Sequence, residues 1–317
     1  MVKSFLRKLR WFHIVLASII ILLLISVSPV YPGRTFSSED NTTLVVLTFD
    51  DGYSSWVTEA MPILQKYDLP ASGYINDPEF REDFTWEYAL TLYEAGWEIG
   101  WHTATHMNVD VTERSQLIDD YNLGKSLFEA HGLPAPETFV YPSGRHDNES
   151  VEITSEFFLA ARTTHHGVNT PRDVMENPAH LKQFNMDNDL PFIEKKIRKY
   201  QDQGMLIVLT AHTIGQVVEW QKNPTMTTEE FEELAEFLHQ EEVKGNIDVV
   251  TLREGVEIIQ NRNVTTSWGL KVDSPSDTWF KFWKIPIPER YFVYYEEIIQ
   301  DFIGNSNPGL ARWFDQF

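Results

Sequence analysis

Between residues 44 and 252 the chain alternates strand-length apolar runs with amphipathic stretches of helix length, and no other feature restricts its fold so strongly. The runs are LVVLTF (44–49), ASGYIN (71–76), WEIGWH (97–102), TFVYP (138–142), AARTT (160–164), KQFNM (182–186), MLIVLTAH (205–212) and DVVTL (248–252). Between them lie SSWVTEAMPILQKY, WEYALTLYEA, ERSQLIDDYNLGKSLFEAHG, PFIEKKIRKYQDQ and TTEEFEELAEFLHQEEV, several opened by Ser, Thr or Asp and closed by Gly. Repeated βα units make strands parallel, and a run of eight is a barrel-like count. The expected fold is α/β, a distorted (β/α) barrel over residues 42–262. Such a barrel places its active site at the carboxyl ends of its strands, so polar residues that end these runs carry the most weight.

The two ends of the chain read differently. MVKSFLRKLR is basic, and WFHIVLASIIILLLISVSPV follows it with no formal charge if His13 is neutral. A helix of that length spans about 30 Å. The run ends SVSPVYPG, where Ser26 and Ser28 match a small-residue cleavage site poorly. Residues 1–34 therefore read as a membrane-spanning signal anchor with the body outside the cytoplasm, a cleaved signal and secretion being the alternative. Residues 35–41 form a polar linker, and the N-x-S/T sequences at Asn41, Asn148 and Asn263 are compatible with export. Residues 263–317 are dense in Trp, Phe and Tyr and are expected to pack as an extension on the barrel, a sugar-binding or membrane-interfacial surface being the alternative.

The chain has 47 acidic and 26 basic residues, and five of the basic ones fall in the first 34 positions, which hold no acid. An acidic body repels nucleic acid and polyanionic glycans, and no basic stripe or Gly-rich phosphate loop is present to offset that. Neutral or cationic substrates fit better, although an acidic surface also serves simply for solvation. The absence of cysteine excludes disulfides and thiolate metal sites.

Three strand ends carry the candidate chemistry. Asp50 and Asp51 end the first run in LTFDDG, a sequence that also suits a plain turn with one Asp capping a helix. His102 and His106 follow the third run in HTATH, four apart, so that both imidazoles reach one metal if the segment is helical or tightly turned. Two His and one Asp form a facial set for zinc or another divalent ion. His212 ends the seventh run, and Pro142 and Gly144 in FVYPSG set a tight loop with backbone N–H groups exposed. His165 and His166, in TTHHGVN, end another strand and read as exposed loop residues, a place in the lining of the site being the alternative.

In this order, TFDDG, HTATH, FVYPSG and LTAHT resemble the motifs of the polysaccharide deacetylase family, the NodB-homology enzymes of carbohydrate esterase family 4. The resemblance covers roughly residues 42–262. It implies Asp51, His102 and His106 as ligands of a divalent metal, usually zinc, with Co2+, Mn2+ and Ni2+ as alternatives. It implies Asp50 as general base, His212 as general acid and the Ser143 N–H as an oxyanion donor, with Tyr141 and Pro142 beside it in the substrate wall. The chemistry agrees: amide hydrolysis needs an activated water, a base, a positioned acid and preformed oxyanion donors.

One position departs from the family pattern. The usual third motif, R-x-P-x-G, supplies an arginine that orients the base, and here Val140 stands in its place. Arg162 and Arg145 are the candidate substitutes, while Lys182 and Gln183 occupy a stretch where a related arginine is often found. The resemblance implies removal of N-acetyl groups from a chitin-like, cell-wall or exopolysaccharide chain. O-deacetylation, cyclic-amide hydrolysis and a catalytically decayed glycan-binding module are the alternatives, the last motivated by the missing arginine.

Overall fold

A computed structural model of the chain describes residues 41–81, 83–187, 190–217 and 224–267. The expectations for the N-terminal anchor and most of the aromatic-rich C-terminal segment fall outside these residues. Among the described residues no helix is long and apolar enough to cross a membrane.

All eight strand-length runs form strands: β1 (Thr43–Asp51), β2 (Ser72–Ile75), β3 (Glu98–Trp101), β4 (Thr138–Val140), β5 (Ala160–His166), β6 (Leu181–Asn185), β7 (Leu206–Ala211) and β8 (Ile247–Val249). Every pairing between them is parallel. The ring closes from β1 through β7, because one edge of β1 pairs with β7 along Leu44–Phe49. Its other edge is divided: Thr43–Val45 pairs with β8 and Thr48–Asp51 with β2. The barrel is therefore seven-stranded, and the eighth strand fills the lower half of the β1–β2 seam without entering the ring. β1 is long enough for both neighbours, and buried along its whole length, as its nearly unbroken apolar sequence requires.

Helices wrap the ring: α1 (Met61–Lys66), α2 (Trp86–Glu94), α3 (Arg114–Ala130), α4 (Asn148–Phe157), α5 (Pro171–Glu176), α6 (Leu190–Tyr200), α7 (Thr228–Val243) and α8 (Leu252–Ser267). A π turn, Trp56–Ala60, runs into α1. The end of the barrel domain expected at residue 262 falls inside α8. The sequence reading did not place α4 and α5. Each begins with a capping box, Asp147 with Ser150 and Thr170 with Asp173, which satisfies the first free N–H groups of a short, polar helix.

Beneath the site, Phe49 packs against Trp97 (ring centroids 4.9 Å), Trp56 (5.9 Å) and Phe231 (5.9 Å), residues contributed by the helical layer and its connections. Alternation along a strand then turns Asp50, the next residue, to the barrel interior.

Candidate metal centre and active-site cleft

The carboxyl ends of the strands open into a cleft of about 660 Å³. Asp50, Asp51, His102, His106, Tyr141, Ser143, Arg162 and His212 all line it; Pro142 and Arg145 do not. Residues up to 162 positions apart in sequence thus share one cavity because they end different strands or follow their ends.

Adjacent strand residues normally face opposite ways. Asp51 escapes that rule: its φ is 84°, in the left-handed region, and Gly52 follows at 83°. The kink at the end of β1 lets both carboxylates reach the cleft. The HTATH segment is not helical, because Thr103 (φ 60°) and His106 (φ 56°) are both left-handed, so the imidazoles converge through a tight turn. That turn is held from three sides. Asn76 Nδ2 donates to the carbonyls of His102 (2.8 Å) and Thr103 (2.7 Å), Asp120 Oδ1 accepts from the Ala104 N–H (2.8 Å), and Thr103 Oγ1 accepts from the Met107 N–H (2.9 Å). Asp120 is also fixed by Trp101 Nε1 at 2.8 Å.

The residues present fit a divalent cation. Asp51 Oδ1 is buried and paired with Arg81 Nη2 at 3.0 Å, and His102 Nε2 lies 3.4 Å from it and His106 Nε2 3.5 Å. Ligands about 2.1 Å from one ion stand at such separations. His102 Nδ1 is 2.7 Å from the Val140 carbonyl, which can only accept, so Nδ1 carries the proton and Nε2 keeps its lone pair for the ion. Burial pushes the Asp51 carboxyl up, but His102, Arg81 and His212 more than offset it and hold the group well below the usual carboxylate range. Burial and then the neighbouring His102 lower the His106 pKa, which favours the neutral, ligating imidazole.

Arg162 supplies what Val140 lacks. Its guanidinium is fully buried, donates through Nη2 to Asp50 Oδ2 and through Nη1 to the Thr163 carbonyl (3.1 Å). Val140 and Arg162 are direct partners in the β4–β5 ladder. The cation therefore reaches the carboxylate from the neighbouring strand at the same height of the barrel. Arg145 points elsewhere: it is half exposed and paired with Asp110 at 2.9 Å. Lys182 pairs with Asp173 (3.2 Å), and Gln183 Nε2 donates to Asn185 (2.9 Å).

His212 is half-buried just past β7, its carbonyl accepting from Trp56 Nε1 (2.7 Å) and its N–H donating to Thr225 Oγ1 (3.0 Å). Ser143 sits at φ 56° in the turn Pro142–Gly144, exposed to the cleft. Tyr141 is buried, and its hydroxyl donates to the Ala179 carbonyl (3.0 Å), so it braces the loop rather than the cleft's contents.

Sequence reading missed Arg81, whose Nη2 lies 3.0 Å from Asp51 Oδ1 and which also donates to Asn76 Oδ1 through Nε at 3.0 Å. It missed Asn76 and Asp120 as well. Asn76 follows β2 and Asp120 lies within α3, both in unremarkable stretches, and only the register of β2 beside β3 and the packing of α3 bring them to the HTATH turn.

The model of the family described as polysaccharide deacetylase matches residues 37–161. The Bacillus subtilis (strain 168) protein YxkH, whose name assigns it provisionally to the polysaccharide deacetylases, is 26% identical over 114 residues, 35% of this chain and 41% of YxkH. This chain thus spans well under half the length of that relative. A mutant of the peptidoglycan deacetylase PdaC from Bacillus subtilis superposes with a TM-score of 0.50 at 17% identity, covering 72% of this chain and 96% of that one. A carbohydrate esterase family 4 pseudoenzyme from Bacillus anthracis gives 0.47 at 17% identity, covering 68% and 66%. The structural likenesses are likenesses of fold. Residues 37–161, which hold β1 with its two carboxylates and the HTATH turn, are thus the part of this chain that is similar to the polysaccharide deacetylase family.

Proposed function

We propose that the chain is a divalent-metal-dependent hydrolase that removes N-acetyl groups from an N-acetylated glycan outside the cytoplasm. The observation that carries this reading is the convergence, in one cleft, of the Asp51–His102–His106 set with Asp50 held by a buried arginine. A divalent ion bound by those three ligands supplies Lewis acidity, polarising the acetyl carbonyl and making a water nucleophilic near neutral pH.

The chain's own residues do the rest. Asp50 takes the proton of the attacking water, and Arg162 keeps that carboxylate in one orientation. His212, on the seventh strand's end, gives a proton to the departing amine, which leaves poorly without one. The Ser143 N–H, on a left-handed residue at the rim, serves the developing oxyanion. Arg162 supports a working base and weighs against the decayed binding module, whose motivation was the lack of an orienting cation. The acidic body does not repel the amines that deacetylation exposes on the product. The basic start and long apolar run of residues 1–34 support a membrane tether with the barrel outside the cytoplasm.

The test is acetate release from N-acetylglucosamine oligomers by the purified chain, with chelator and with Zn2+ added back, beside O-acetylated oligosaccharides and a cyclic amide. Release from the N-acetylated series alone, abolished by chelator, is expected. Asp50→Asn removes turnover and keeps metal, whereas His102→Ala loses both. A metal-loaded wild-type chain that releases no acetate from any of these substrates sinks the catalytic reading.

A further inference from the structure

Outside the cleft lining, three histidines from three separate segments meet near its rim. His146 follows the turn Pro142–Gly144, His165 lies near the end of β5, and His180 ends the turn Pro178–His180 that leads into β6. A nitrogen of each ring lies within 4.8 Å of the others. His146 Nε2 and His180 Nε2 are 2.7 Å apart, and the His165 ring centroid stands 5.4 Å from that of His146 and 5.0 Å from that of His180.

The cluster is braced as a ligand set. His146 Nδ1 is 2.8 Å from the Gly144 carbonyl, so Nδ1 carries the proton and Nε2 turns its lone pair toward the other two rings. Tyr141 packs its ring on His146 (5.0 Å), and its hydroxyl holds the Ala179 carbonyl, which ties the His146 and His180 segments together. Burial, then the neighbouring imidazoles and Lys182, lower the His180 pKa, which keeps that ring neutral. Nitrogen ligands about 2.1 Å from one tetrahedral ion stand roughly 3.4 Å apart, so the His146–His180 pair, now at 2.7 Å, needs to open by roughly 0.7 Å.

We propose that His146, His165 and His180 form a second metal site, which binds one late first-row divalent ion such as Zn2+ through three imidazoles at the rim of the cleft. All-nitrogen ligation selects Zn2+, Ni2+ or Cu2+ over Mg2+ and Ca2+. A bound ion crosslinks the Pro142–His146 loop, which carries Ser143 and Gly144 in the cleft wall, to β5 and β6. The site does not depend on the deacetylase reading, because none of its ligands belongs to the first metal set.

The untagged full chain, stripped with chelator and then titrated with Zn2+ by calorimetry, is expected to bind two equivalents. The His102→Ala/His106→Ala variant keeps one, and that remaining equivalent raises its Tm. Adding His165→Gln, at an exposed position, weakens the remaining equivalent by at least about tenfold, the lower end of the loss seen when even a supporting partner is removed. His146→Gln in the same background does the same, and Co2+ substitution shows the loss independently through its visible absorption bands. The proposal is overturned if the His102→Ala/His106→Ala protein binds no Zn2+ or Co2+, or if its one equivalent is indifferent to both His165→Gln and His146→Gln.

Discussion

Replacing Arg162 by Met keeps much of the side-chain volume and removes the cation bonded to Asp50. Arg162 is 0% exposed and the Asp50 side chain 7%, so water cannot take over the lost hydrogen bond. Removing one partner of a buried ion pair destabilises by about 3–5 kcal/mol. For a domain of this size each kcal/mol shifts Tm by about 2–4 °C, so Arg162→Met is expected to melt roughly 6–20 °C below wild type. A general destabilisation would look the same, and a double-mutant cycle separates the two. In an Asp50→Asn background no carboxylate is left stranded, and Arg162→Met then costs about 2–4 kcal/mol less. Urea denaturation of the four proteins, stripped of metal, measures that coupling. Arg162→Lys restores the charge but cannot bond both Asp50 and the Thr163 carbonyl from a planar fork, so it recovers part of the stability and less of the turnover. A misplacement of 1 Å in a catalytic group lowers the rate on the order of 100-fold. Free energies that add within about 0.5 kcal/mol across the cycle refute the claim that Arg162 acts through Asp50.

Gly144 has φ 67°, and a Cβ there would stand 2.0 Å from Thr164 Oγ1. Gly144→Ala is therefore expected to lose about 2–5 kcal/mol from left-handed strain and overpacking together, visible as a lower Tm and a higher KM as the wall shifts. Glu98 is half-buried at the opposite end of its strand, accepting from Ser72 (2.9 Å) and the Arg253 N–H (2.9 Å), and the loss of solvation there raises its pKa above the ordinary 4.5. The folded chain then holds the proton more tightly than the unfolded one, so this group's contribution is fully present below pH 4.5 and declines as pH rises through the folded value. Glu98→Gln should remove that decline, and the stability of the variant relative to wild type should improve upward from pH 4.5 in denaturation series; a constant difference would contradict the assignment. Phe80 is 63% exposed and lines the cleft, so Phe80→Ala should raise KM for glycan oligomers several-fold with Tm unchanged, as expected for a ring that meets substrate only.

The strands were legible because each is a short apolar run bounded by turn residues, and their positions in the structure differ from the expected ones by only a few residues. Seven-strand closure was not legible, since nothing in DVVTL distinguishes a ring member from a strand that pairs with half of β1. The candidate ligands could be read from motif order, whereas the choice between Arg162 and Arg145 could not. Both follow a strand or lie in one, and only the β4–β5 register, which sets Val140 beside Arg162, decides which guanidinium faces inward. His146 and His180 carried no local signal, because their meeting depends on the lengths of two connections. Arg81 and Asn76 were invisible for the same reason.

The divided edge of β1 has a further consequence for biogenesis. TLVVLTFDD is the first of the described strands to be synthesised, but its partner at Leu206 and its lower neighbour at Ile247 come last among them. At about 5–20 residues per second, the interval before those partners exist is on the order of ten seconds or more. Through that time the longest of the described strands has an open edge, which is a template for pairing with other chains. Contacts this distant in sequence also make ring closure slow once the chain is complete. The strand that carries both carboxylates is thus the main aggregation hazard of the nascent chain, and any truncation before β8 leaves that hazard in place.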